Sequence, residues 1–235
     1  MIASTAVARW TWGRDSETAD LVSSCLADLA AAHSALAEHQ MARGEPVVHL
    51  SVPEWGNPQN RLFEDEVRLP EGRNTSQVER LCGVVRGALR PGRIGSVDAH
   101  VYCSGTRDGE AGGPEERTFL LSASAFEGFV TVELITYSDI WMSHDLRGRA
   151  QPDVYAANAP RLSAALQGLA EALGSETDPE DPTYFGKATE TGVENFFDSD
   201  SRASDVWSSF EIPYRKRRFH HTAVSDVTYK RSAEG

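Results

Sequence analysis

Lysine is nearly missing: Lys187, Lys216 and Lys230 are the only three in 235 residues, and arginine supplies the rest of the 23 basic side chains. With alanine-rich helical stretches and little isoleucine, this is the codon bias of a GC-rich genome and carries no functional message. Cysteine is also scarce. Cys25, Cys82 and Cys103 cannot all pair with one another, and no Cys-x-x-Cys spacing occurs, so neither zinc nor thiol redox chemistry is supported. Cys25 and Cys82 fall on apolar helical stripes and Cys103 in an alternating strand, where a free thiol behaves as a small core hydrophobe. No apolar run approaches the roughly 18 residues of a membrane span. Residues 1–15 contain no apolar signal-type stretch, so the expectation is a cytoplasmic protein with no membrane association.

What is abundant is acid. The formal net charge is -12, with 35 Asp and Glu, which opposes binding to nucleic acid or anionic lipid and fits a basic partner. A chain of this length buries a core without a disulfide or metal staple.

The hydrophobic pattern alternates between strand and helix periods. Residues 4–12 have strand character, with Val7 and the Trp10/Trp12 pair at period two. A helix capped by Asp15 or Ser16 follows, with Val22, Cys25, Leu26, Leu29, His33 and Leu36 on one stripe. Val48, Leu50 and Val52 alternate with His49 and Ser51 in a half-buried strand, and residues 63–69 form a weaker one. Ser76 and Glu79 have the spacing of a capping box before the stripe Val78, Leu81, Cys82, Val85 and Leu89. Residues 97–103 then alternate, and a hairpin joins 119–123 to 130–134 through Glu127-Gly128. A third helix is expected from near Asn158, with Pro160 in its first turn and Gly174 as its left-handed cap.

The expected fold is therefore α+β, with a mixed, mainly antiparallel sheet and about three helices. Its order is β-α-β-β-α-β then β-β-α, and the first six elements have the order of a ferredoxin-like unit. The domain reading is a globular unit over 1–174 and a C-terminal extension over 175–235. Between 176 and 211 the extension carries ten acids against two bases, and from 214 it turns basic. Tyr184, Phe185, Phe196, Phe197, Trp207 and Phe210 lie among the acids, and such anchors favour packing back on the domain over disorder.

Catalytic and metal motifs fail on inspection. Ser143-His144-Asp145 has the residue types of a hydrolase triad, but triads are assembled from distant positions and no G-x-S-x-G elbow is present. Asp198-Ser199-Asp200 resembles the start of a calcium loop, yet Arg202, Ala203 and Ser209 occupy positions that need a ligand, a glycine and a glutamate. The glycines of 105–113 carry acids that repel phosphate. Neither a metal nor a cofactor is expected.

Two functions compete. The first is a non-enzymatic, acidic protein-binding module, of the physical type of an immunity protein that neutralises a basic partner. Its contact residues are expected to be Tyr184, Phe185, Glu194, Phe196, Phe197, Asp198, Asp200 and Trp207. The second is a hydrolase-like enzyme with a site between the sheet and the extension, built from His144, Asp145, Tyr184, Glu190 and Glu194.

Overall fold

The computed structural model describes residues 1–16, 18–42, 46–70, 74–106, 114–208 and 210. Period-two sequences become seven strands of one antiparallel sheet, and 3.6-period stripes become three long helices. The elements run β1 (Ala8–Asp15), α1 (Leu21–Glu38), β2 (Val47–Glu54), β3 (Asn57–Arg68), α2 (Thr75–Ala88), β4 (Ser96–Thr106), β5 (Pro114–Phe126), β6 (Phe129–Thr136), α3 (Pro152–Leu173) and β7 (Asp178–Pro179). A separate small hairpin, β8 (Lys187–Thr189) and β9 (Gly192–Glu194), follows.

The sheet order is β3-β2-β4-β5-β6-β1-β7. This differs from a ferredoxin-like arrangement, because β1 is hydrogen-bonded to β6 over eight residue pairs and to β7 on its other side. The physical reason is packing: that register sinks Trp10 and Trp12 to 0% and 2% exposure, and their indole N–H groups reach Thr189 O and Thr177 Oγ1. Since every neighbouring pair is antiparallel, β1 and β2 point the same way. Helix α1 is the crossover between them and lies over β4, β5 and β6, with α2 and α3 on its two sides.

Local chemistry explains the boundaries. The cap of α1 is Asp20, whose Oδ1 accepts from Val22 N and Ser23 N, because β1 takes up Asp15 and leaves Ser16 in the turn that follows. Asn74 caps α2 by accepting from Gln77 N, and it takes the Ser76 hydroxyl as well, so the Ser76/Glu79 box is displaced by a better-placed cap. Helix α3 starts at Pro152, earlier than its apolar stripe suggests, and Pro160 lies inside it. Gly174 supplies the left-handed cap with φ 63°.

All three helices cover one face of the sheet, and the core lies between the layers. It contains Val22, Cys25, Leu26 and Leu29 from α1 against Val48, Leu50, Val101, Leu121, Val132 and Leu134 from the strands. Arg14, which turns toward this layer, makes a two-pronged bond to the buried Asp28 of α1, at 3.1 Å and 2.6 Å. Residues 175–208 lie against this body. Ser175 Oγ donates to Gly13 O, Thr183 Oγ1 donates to Val7 O, and Phe185 is 1% exposed. The basic cluster from Tyr214 to His221 lies outside the described residues.

Candidate binding surface

In an antiparallel sheet with helices on one side, every second side chain points away from the core. Here those side chains form cross-strand rows. One row runs Glu66, His49, His100, Ser122, Glu133, Thr11 from β3 to β1. The next runs Glu64, Ser51, Asp98, Ser124, Thr131, Gly13, and a third joins Tyr102, Leu120, Ile135 and Arg9. Four carboxylates project from these rows, with Arg9 in the third and Arg68, paired with Val47 on the same face, at the β3 edge. The centre is floored by small hydroxylated residues, so the surface is shallow.

The polar groups are interlocked. Asp98 accepts from Ser96 Oγ at 2.8 Å and from Ser124 Oγ at 2.6 Å, which fixes its carboxylate at the sheet centre. The rings of His49 and His100 lie 5.0 Å apart, and His49 Nε2 is 3.7 Å from Glu64 Oε1. Partial burial, and then the neighbouring His49, hold His100 below the ordinary histidine pKa. Arg9 faces Glu133 at 3.8 Å.

Aromatic side chains mark the two ends. Tyr102, 48% exposed, stands at one. At the other, Phe126 pairs with Phe129 in the β5–β6 register, and both are nearly half exposed. Phe129 lies across Gly13, where any Cβ would strike its ring at 2.8 Å, so the glycine makes room for the aromatic. Trp55, from the β2–β3 turn, is parallel to Phe126 within 5° at 5.8 Å between centroids, and the Arg93 guanidinium sits 4.4 Å above its ring. A cleft of about 390 Å³ opens there, lined by Pro53, Glu54, Trp55, Pro58, Ser96 and Phe126 among others.

The residues singled out from the sequence have other placements. His144 Nδ1 and Ser143 Oγ are 3.0 Å apart, but the Asp145 carboxylate accepts from Arg147 N and Arg149 N, and Ser143 Oγ also reaches Asn195 Oδ1. These groups hold a turn together. Glu190 is exposed in the β8–β9 turn, and Glu194 pairs with Lys187 at 3.4 Å. Tyr184 is 51% exposed and borders a separate polar cleft of about 360 Å³ with Arg9, Glu180 and Asp181. Phe185, Trp207 and Phe210 form one aromatic cluster with Tyr184, in which Phe185 is buried. Phe196 is half-buried, while Phe197 is exposed and meets His144 edge-on at 5.8 Å. Asp198 Oδ1 accepts from Asp200 N and Arg202 N, so its acids order a turn of their own, and Asp200 is exposed there.

Among the described residues, no group of three or more His, Cys, Asp or Glu side chains is arranged to hold a metal ion. No helix among the described residues is long and apolar enough to cross a membrane. Comparisons with family models, curated proteins and solved structures give no match for this chain. The rows on the open face escaped the sequence reading, although His49 and Ser51 alternating with Val48, Leu50 and Val52 was the available signal.

Proposed function

We propose that this chain is a non-enzymatic binding module whose open sheet face receives a basic protein, as an immunity-type protein receives the partner it neutralises. The observation that carries the reading is one rigid, shallow surface on which Glu64, Glu66, Asp98 and Glu133 lie between exposed aromatic ends. Charges of one sign speed encounter with an opposite surface, and aromatic side chains supply the desolvated contacts that hold it. A strand-borne surface also loses little conformational entropy on binding. The dispersed positions of Asp145, Glu190 and Glu194 give a hydrolase reading no comparable support.

The test is gentle purification of the tagged protein from its native cells, beside a Glu64→Lys/Glu66→Lys variant. These two side chains are exposed on an edge strand, so the variant keeps the fold. A stoichiometric basic protein should co-purify with the unmodified chain, dissociate as salt rises, and be lost from the variant. Retention of that protein by the variant, or a bound metabolite in place of any protein, overturns the reading.

A further inference from the structure

We infer that the cleft beside the stacked rings of Trp55 and Phe126 is an arginine-side-chain pocket, the anchor point for the basic partner. The inference rests on the binding reading above and adds to it the place and the chemical group recognised. The apolar lining is flat: Trp55 and Phe126 stack on each other with parallel rings 5.8 Å apart, and Pro53 and Pro58 lie beside them. Such walls suit the methylene stem and planar head of an arginine, which stacks on aromatic faces more readily than a hydrated ammonium does.

One acid, Glu54, lines the cleft, and one guanidinium, that of Arg93, lies over its Trp55 wall. Ser96, also in the lining, donates a hydrogen bond to Asp98. No lysine or arginine belongs to the cleft lining among the described residues. The protein already makes the same contact internally, with the Arg93 guanidinium over the Trp55 ring. A volume of about 390 Å³ holds a long side chain and excludes a folded element. The pocket also continues into the acidic rows through Asp98, so one arginine can seat here while neighbouring basic residues meet Glu64 and Glu133.

The probe is a capped Gly-Arg-Gly peptide titrated into the full chain, followed by NMR of the Trp55 indole N–H and the Phe126 ring. Matched peptides carry citrulline, lysine or proline at the centre. The arginine peptide should shift both signals, and citrulline, which keeps the shape without the charge, should bind about tenfold more weakly. Glu54→Gln should weaken the arginine peptide and leave the citrulline peptide unchanged. Equal binding of citrulline, stronger binding of the proline peptide, or no shift at Trp55 overturns the pocket. If the pocket fails while Glu64→Lys/Glu66→Lys still releases the partner, the surface reading stands alone. If the partner also stays bound to that variant, both fall.

Discussion

His49 and His100 face each other across β2 and β4, with ring centroids 5.0 Å apart, on the side of the sheet that the helices leave open. Partial burial, and then the neighbouring His49, hold His100 below its ordinary value of 6.5. His33, buried on α1, is lowered by burial as well. A histidine with a depressed folded-state pKa binds its proton more readily once the chain unfolds. Its stabilising contribution is therefore complete above the unfolded value and lost as pH falls through the folded one. Thermal unfolding followed from neutral pH downward should show stability falling below pH 6.5. In the His33→Gln/His100→Gln variant that part of the slope should flatten. An unchanged slope would remove these two groups as its source.

The three cysteines should be silent in the folded protein. Burial pushes the Cys103 thiol up to about 12 and raises Cys25 and Cys82 too, with burial first among the causes for each. All three have at most 2% of their surface exposed. The reactive species is the thiolate, so both ionisation and access are withheld. A thiol reagent at mildly alkaline pH should label none of them until denaturant is added, when all three should react. Rapid labelling of Cys82 alone would indicate that α2 separates from α1.

The Arg14–Asp28 pair ties the second layer to the first. Asp28 is 5% exposed, and the two nitrogens of Arg14 meet its two oxygens in the fork geometry that makes such bonds strong. Replacing Asp28 by Ala leaves the guanidinium facing a buried gap. The expected cost is on the order of 2–3 kcal/mol, below the usual range for a fully buried pair because Arg14 keeps some contact with water. Chemical denaturation measures it. Asp28→Ala/Arg14→Met should recover part of the loss, since the uncompensated charge is then gone.

Much of the architecture could be read directly from residue spacing. Val48, Leu50 and Val52 announce β2, and the stripe from Val22 to Leu36 announces α1, because burial on one side imposes a fixed period. Pairing was not legible. The partner of β1 depends on where Trp10 and Trp12 find room, and that is settled by α1 crossing the sheet, not by any neighbour in sequence. The candidate surface was hidden for a related reason. His49, Asp98, Ser122 and Glu133 come from four separate strands, and only the register brings them into adjoining rows. Acids in the C-terminal stretch attracted notice by being close in sequence, yet Asp198 is occupied with its own backbone.

The Asp198 turn is the second copy of a turn that also precedes α3. In His144-Asp145-Leu146-Arg147-Gly148-Arg149-Ala150 the aspartate Oδ1 accepts from the N–H groups two and four residues on, and the flanking residues His144 and Ala150 bridge. Phe197-Asp198-Ser199-Asp200-Ser201-Arg202-Ala203 repeats every one of those bonds, with Phe197 and Ala203 bridging. The fourth loop position is left-handed in both, with φ 74° at Gly148 and 60° at Ser201. The two turns also touch, because His144 meets Phe197 and a Cβ on Gly148 would collide with the Ala203 carbonyl. Gly148→Ala should therefore strain its own turn, by on the order of 1–3 kcal/mol, and push the second turn away. Hydrogen exchange should quicken at Arg202, Ser204 and Trp207, whose N–H groups are bonded to Asp198, Phe196 and Leu146. Ser201→Gly relieves a left-handed non-glycine residue with no collision, so it should raise the melting temperature slightly and leave exchange unchanged. If Gly148→Ala destabilises the protein without altering exchange at those three amides, the turns are independent and the contact between them is incidental.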